Sequence, residues 1–255
     1  MIKKRLAAVV TVRNGLAVQS FGYRRYLPLG KPEVLIENFD RWGADEIILQ
    51  CIDRGNQGPD YALLDRVSRL GLSTPLIYAG GIDSVGHAVR TIQAGADRIC
   101  VDAMLHDAPN EVRAIAEPLG AQAIIAALPL SWQAGELLWR DYRDCRDRPL
   151  AGQVLDVLQS GAISEALVID WQHEGSPGAF DMELVTRFPV EKMPVIAFGG
   201  ISEAGQLRSL LERPGVAAAA IGNFLSYREH AVQALKKQLA GLPLRPWFHQ
   251  RQAGI

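Results

Sequence analysis

Residues 46–81, EIILQCIDRGNQGPDYALLDRVSRLGLSTPLIYAGG, are answered by residues 165–200, EALVIDWQHEGSPGAFDMELVTRFPVEKMPVIAFGG. Glu46 and Glu165 lie 119 residues apart, and so do Gly80 and Gly199. A shared offset at both ends of a long unit marks an internal duplication. Each copy reads as an apolar run of strand length, a polar glycine-containing loop, an amphipathic helix, a second apolar run and a glycine pair. Strand–helix–strand units favour a parallel sheet with right-handed crossovers. Two such halves in 255 residues predict a (β/α)8 TIM barrel over residues 1–255, with half-barrels about 1–120 and 121–241 and a tail at 242–255. A doubly wound open sheet is the competing architecture, but it does not call for a half-chain repeat.

A hydrophobic fraction of 48% with 22% charged residues describes a globular chain with ample core. The formal net charge of −1 gives no electrostatic case for nucleic acid or an anionic membrane. Cys51, Cys100 and Cys145 show neither close pairing nor metal spacing, and the first two sit in apolar runs as small buried side chains. MIKKRLAAVVTV reads as a strand rather than a secretion signal, and no run reaches the length of a membrane helix. A cytoplasmic protein with no metal and no cofactor is expected.

Along the chain, residues 4–12 form the first strand, stopped by Arg13-Asn14-Gly15. Alternation puts Arg5, Ala7, Val9 and Thr11 on one face. If Arg5 points inward at the N-terminal mouth, Thr11 points inward at the C-terminal mouth, where barrel enzymes keep their chemistry. Residues 16–31 read as a long loop with the character of a lid, and the Tyr23-Arg24-Arg25-Tyr26 cluster within it as solvated. Further strands are expected at 46–52, 75–79, 98–102, 123–128, from 165, at 194–198 and at 215–221. Helices are expected at 32–42, 61–70, 84–94, 110–118 and 154–159, and residues 131–149 as an irregular segment with a hairpin around 136–142.

Arg5, Glu46, Arg98 and Glu165 each open a strand, so two cations and two anions would ring one end of the barrel and offset one another's burial. Such a ring is either a plug or a gate over an axial channel. At the other end the pairs Gly80-Gly81 and Gly199-Gly200, with Gly222-Asn223 after the last strand, can offer backbone N–H groups to phosphate. Asp102 shares the inward phase of Arg98, while Asp53, Asp170 and Glu174 read as loop carboxylates. His173 shows no evident partner in sequence.

The start KKRL, RNG after the first strand, GADEIIL, AGGI, AGADRI and VIAFGGI resemble the HisF family, the cyclase subunit of imidazole glycerol phosphate synthase, over nearly the whole chain. The resemblance implies a glutaminase partner (HisH-like) docked on the N-terminal face, with ammonia passing along the axis to a small phosphorylated substrate at the top. On that basis Arg5, Glu46 and Glu165 match charged residues of the ammonia gate, Arg98 stands where the family has lysine, and Asp97 matches an aspartate of the docking face. The family's two catalytic aspartates, at the ends of strands one and five, are replaced by Thr11 and Pro129. Asp102 stands where the family has asparagine near a phosphate site.

Proline carries no proton, and losing one positioned acid or base costs about 10²–10⁴ in rate. A carboxylate beside a phosphate would also repel it, so Asp102 either displaces that phosphate or serves as a new acid/base. Catalytic candidates are therefore Thr11 and Asp102. Three functions fit: a HisF-like synthase subunit of a glutamine amidotransferase acting on a phosphorylated or nucleotide-linked sugar, the histidine-pathway cyclase itself, or a catalytically silent scaffold that activates a glutaminase.

Overall fold

A computed structural model describes residues 3–246 of the chain. Among these, eight parallel strands close into a barrel. In chain order they are β1 (Arg5–Arg13), β4 (Glu46–Cys51), β5 (Leu76–Ala79), β6 (Arg98–Val101), β7 (Ile124–Gln133), β10 (Glu165–Asp170), β11 (Val195–Phe198) and β12 (Val216–Ile221). Pairing of β7 with β10 and of β12 with β1 completes the circle. Both faces of these strands are buried, which is why they read as nearly continuous apolar runs. One phase, including Ile48, Ile77, Leu167 and Phe198, fills the lumen; the other packs against the helices.

The surrounding helices are α1 (Pro32–Arg41), α2 (Tyr61–Ser68), α3 (Val85–Gln93), α4 (Met104–Asp107), α5 (Pro109–Leu119), α6 (Gly152–Gln159), α7 (Glu183–Thr186), α8 (Ala204–Leu211) and α9 (Ala231–Gln238). Ser84 caps α3, its hydroxyl accepting from His87 N at 3.3 Å. The helix expected in the second repeat unit shrinks to the single turn α7, and α4 was not foreseen. The expected tail at 242–255 lies outside the described residues beyond 246.

Residues 16–31 form no irregular loop but a β-hairpin, β2 (Leu16–Phe21) with β3 (Arg25–Gly30), continuing antiparallel from β1. The second half repeats it: β7 runs through Pro129 to Gln133 and pairs with β8 (Glu136–Asp141), which pairs with β9 (Arg146–Pro149). Asn14-Gly15, at φ +52° and +74°, and Ala134-Gly135, at +50° and +88°, make the matching two-residue turns. Such turns fit the twist of the flanking strands and need left-handed backbone at both positions. Both hairpins stand on the C-terminal mouth of the barrel.

Candidate functional site at the two mouths of the barrel

At the N-terminal end the four strand-opening charges meet in one ring. Arg5 Nη1 donates to Glu46 Oε1 at 2.9 Å and Arg5 Nη2 to Glu165 Oε1. Arg98 Nη1 donates to Glu165 Oε2 at 2.6 Å and stands 3.5 Å from Glu46 Oε1. Arg98 also reaches the Ser164 hydroxyl at 2.8 Å. Burial alone would pull Arg5 down, but Glu46 and Glu165 outweigh it and hold the guanidinium above its ordinary value. Burial pushes Glu46 up, with Arg5 the strongest opposing influence. Glu46 Oε2 is buried and has no hydrogen-bond partner among the described residues.

Asp97 lies on this same face, exposed, with Oδ2 accepting from Leu76 N at 2.8 Å. A cavity of about 610 Å³ opens beside the ring, lined by Gly161, Ile163, Ser164, Lys192 and Pro194 among others. It sits at the end of the barrel away from the hairpins.

At the C-terminal end Thr11 and Pro129 are both buried, with Thr11 level with Gln50 on β4 and Pro129 level with Ile169 on β10. Tyr23, from the first hairpin's turn, is not solvated. Its ring packs on the lumen cluster and its hydroxyl donates to Gln50 Oε1 at 3.1 Å. From the second hairpin Tyr142 meets it edge to face, with ring centroids 5.2 Å apart. Burial pushes the Tyr23 phenol well up, and Glu174 adds to the shift. The two hairpins thus close over the mouth with a pair of phenols.

Asp102 lies beneath them. Its Oδ1 is shielded and has no partner among the described residues, and burial pushes the carboxyl up to about 7 against the opposing pull of the neighbouring Trp139 indole. The indole N–H itself does not reach hydrogen-bond geometry. His106 of α4 stacks on Trp139 at 3.5 Å and is pushed by burial down to about 4.

The glycine pairs hold strained, close-packed backbone. Gly80 at φ +137° and Gly199 at φ +107° are equivalent: a Cβ would stand 2.3 Å from Cys51 O in the first case and 2.4 Å from Asp170 O in the second. Only glycine fits either place. Gly81 and Gly200 follow at φ +67° and +69°. The Asn223 side chain is occupied by the Ser20 main chain, donating to its O at 2.6 Å and accepting from its N at 3.1 Å. It pins the first hairpin rather than facing outward, and Gly222 precedes it at the end of β12.

The family model described as histidine biosynthesis protein matches residues 5–231. A Vibrio vulnificus protein provisionally named imidazole glycerol phosphate synthase subunit hisF2 is 30% identical, over 96% of this chain and 91% of its own. Imidazole glycerol phosphate synthase subunits HisF of Geobacillus thermodenitrificans and Exiguobacterium sp. are 29% and 26% identical, over 94% and 96% of this chain and 97% of each relative. The chain belongs to the HisF family.

In this HisF-family chain the four charges expected at the floor form a single ion-paired group, while Thr11, Pro129 and Asp102 gather at the ceiling. His173 does have a partner: its Nδ1 lies 2.8 Å from Asp170 Oδ2, and Asp170 also accepts from Asp181 N at 2.7 Å. Asp170 alternates with lumen-facing Ile169, so this pair braces the loop behind the barrel wall. Sequence reading missed Gln50, Tyr23, Tyr142, Arg140 and Trp171 at the mouth. The period-2 alternation from Glu46 points to Gln50, and Arg140 and Tyr142 fall within the hairpin expected around 136–142; Tyr23 depends on a hairpin where a loop is expected, and Trp171 on the loop that follows β10.

Proposed function

We propose that this HisF-like protein is the ammonia-accepting synthase subunit of a glutamine amidotransferase, acting on a phosphorylated or nucleotide-linked sugar-type substrate. The observation that carries the proposal is the contrast between the two ends: a complete four-charge ring below, and threonine and proline above in place of the acid/base pair. Ring and docking face are what a subunit fed from below requires. Alanines at positions 7, 79, 127, 218 and 220 share the lumen with larger side chains such as Ile48 and Phe198, and an ammonia path would run beside the alanines. A HisH-like glutaminase would dock on the N-terminal face, where Asp97 and the cavity beside Ser164 lie. In this reading Arg5, Glu46, Arg98 and Glu165 gate the ammonia. Gly80, Gly81, Gly199, Gly200, Gly222 and the Asn223 backbone serve the substrate's phosphates.

A second reading, the histidine-pathway cyclase, draws support from Asp102, a carboxyl at the mouth that is poised to exchange a proton near neutrality. Purified protein assayed with ammonia for imidazole glycerol phosphate formation separates the two. Turnover within about 10²-fold of an authentic cyclase exceeds what loss of both family groups allows and would defeat the first reading. A glutaminase stimulated in complex, with no product on the barrel from any sugar phosphate offered, would support a silent scaffold instead.

A further inference from the structure

We infer that Arg140 and Trp171 form an oxyanion-binding subsite on the underside of the second hairpin, directed at a carboxylate or phosphate of the acceptor. The inference rests on the reading of the C-terminal mouth as the acceptor site and adds to it the group that the ligand presents there. Arg140 alternates with Trp139 on β8, so while Trp139 packs outward on His106, Arg140 turns to the opposite face and lies over the Trp171 ring, 4.4 Å from its centroid. Arg140 is 8% exposed and Trp171 6%. A guanidinium so buried ordinarily keeps a carboxylate partner with good hydrogen bonds.

Among the described residues Arg140 has one carboxylate partner, Asp147, whose Oδ1 accepts from Nη1 at a long 3.3 Å. Asp141, the adjacent carboxylate, is taken by Arg143 Nε at 2.9 Å and Arg148 Nη1 at 2.6 Å. Arg140 Nε and Trp171 Nε1 are both buried donors with no acceptor among the described residues. Two shielded donors on one stacked pair, one of them cationic, match a group rich in lone pairs, and burial would make their hydrogen bonds strong. Arg24 of the first hairpin, 5.8 Å from the same indole ring, adds a second positive charge. The glycine pairs belong to the loops after β5 and β11, so this subsite would bind a separate part of the ligand.

The test uses the isolated full-length barrel and the indole N–H resonances of its five tryptophans. Trp171→Phe assigns the Trp171 signal. Inorganic phosphate, acetate, ribose 5-phosphate and glucuronate are titrated in turn, and whichever family moves that signal at lower concentration identifies phosphate or carboxylate as the source. Arg140→Met is expected to weaken that binding about 10- to 100-fold, the loss of a charge-assisted hydrogen bond. Arg140→Lys, which keeps charge but not the planar fork, should fall between.

Near-UV circular dichroism checks the fold of each variant, and Trp171→Phe, which keeps the stack while deleting the donor and whose affinity is read by titration calorimetry because its indole signal is gone, carries the test should Arg140→Met not fold. A Trp171 signal that no oxyanion moves, or affinities unchanged by Arg140→Met and Trp171→Phe, would overturn the inference and leave the donors to water. Since no glutaminase or ammonia enters the experiment, failure here is distinct from failure of the amidotransferase reading.

Discussion

Replacing Glu165 by glutamine tests whether the floor ring is a cooperative ionic unit. Of the two carboxylates in the ring, Glu165 is the one that holds both arginines at close range, Arg5 and, at 2.6 Å, Arg98. Charge-assisted hydrogen bonds contribute roughly 1.5–3 kcal/mol each, and a glutamine oxygen can still accept one ordinary bond worth about 1 kcal/mol. The two arginines would then share Glu46, which reaches Arg5 at 2.9 Å but Arg98 only at 3.5 Å. Side-chain exposures of 6–14% around the ring let some water relieve the stranded charge. A loss of about 2–4 kcal/mol follows, a fall in Tm of roughly 5–15 °C for a domain of this size.

Urea unfolding at 0.15 and 0.5 M salt provides the assay. The loss should change little with salt, because the pairs are shielded, whereas the exposed Arg143–Asp107 pair between the second hairpin and α4 would weaken. Combining Glu165→Gln with Arg98→Met should recover part of the loss, since the second change removes the stranded cation. A loss under about 1 kcal/mol, or strict additivity in the double variant, would refute the ring as an energetic unit.

Asp102→Asn tests the ceiling. Burial raises the carboxyl from 3.8 to about 7, so the folded state favours the protonated form, and the wild type gives up stability as pH rises from about 4 through 7. The variant should match wild type near pH 4 and exceed it by roughly 2–4 kcal/mol at pH 8, and parallel urea midpoints across that range would contradict this. Asn223→Ala strands the Ser20 N–H and C=O and should speed amide exchange across residues 16–30, so unchanged exchange there would remove Asn223 as the hairpin's anchor. Gly199→Ala forces a Cβ to 2.4 Å from Asp170 O and should cost more than about 4 kcal/mol or prevent folding. Gly205→Ala, in α8 with nothing within 4 Å, should be neutral or stabilising by up to about 1 kcal/mol in the same melts.

The barrel was legible because its strands are buried on both faces and the duplicated unit fixes their order. The floor was legible for the same reason: Arg5, Glu46, Arg98 and Glu165 are charges at the starts of apolar runs, and strand phase sends them inward together. The second hairpin was legible only around 136–142, and the first not at all. β3 is an edge strand with mostly exposed residues and a proline, so it lacks the apolar alternation that identifies strands. Pro129 looked like the end of its strand. β7 has no β6 partner beyond Ala126, however, and an unpaired flank is where a strand accommodates proline. Tyr23 and Tyr142 sit at turns, and only tertiary structure brings those turns together over the mouth.

That placement bears on what the ceiling can do with protons. Thr11 and Pro129 supply neither acid nor base at neutral pH, and the Tyr23 phenol, pushed well up by burial, stays protonated and is no phenolate base. Glu174 is held by the Ser20 hydroxyl at 2.9 Å and by the Tyr23 N–H at 3.4 Å, so its lone pairs brace the first hairpin. Asp102 is left as the carboxyl at the mouth with a shielded oxygen that has no partner among the described residues. A site with one such group can pass a proton in one direction per encounter, but it cannot supply acid and base at two places on a substrate at once. Under the amidotransferase reading proposed above, an acceptor whose amination needs a single proton transfer would suit this ceiling better than one whose ring closure needs two.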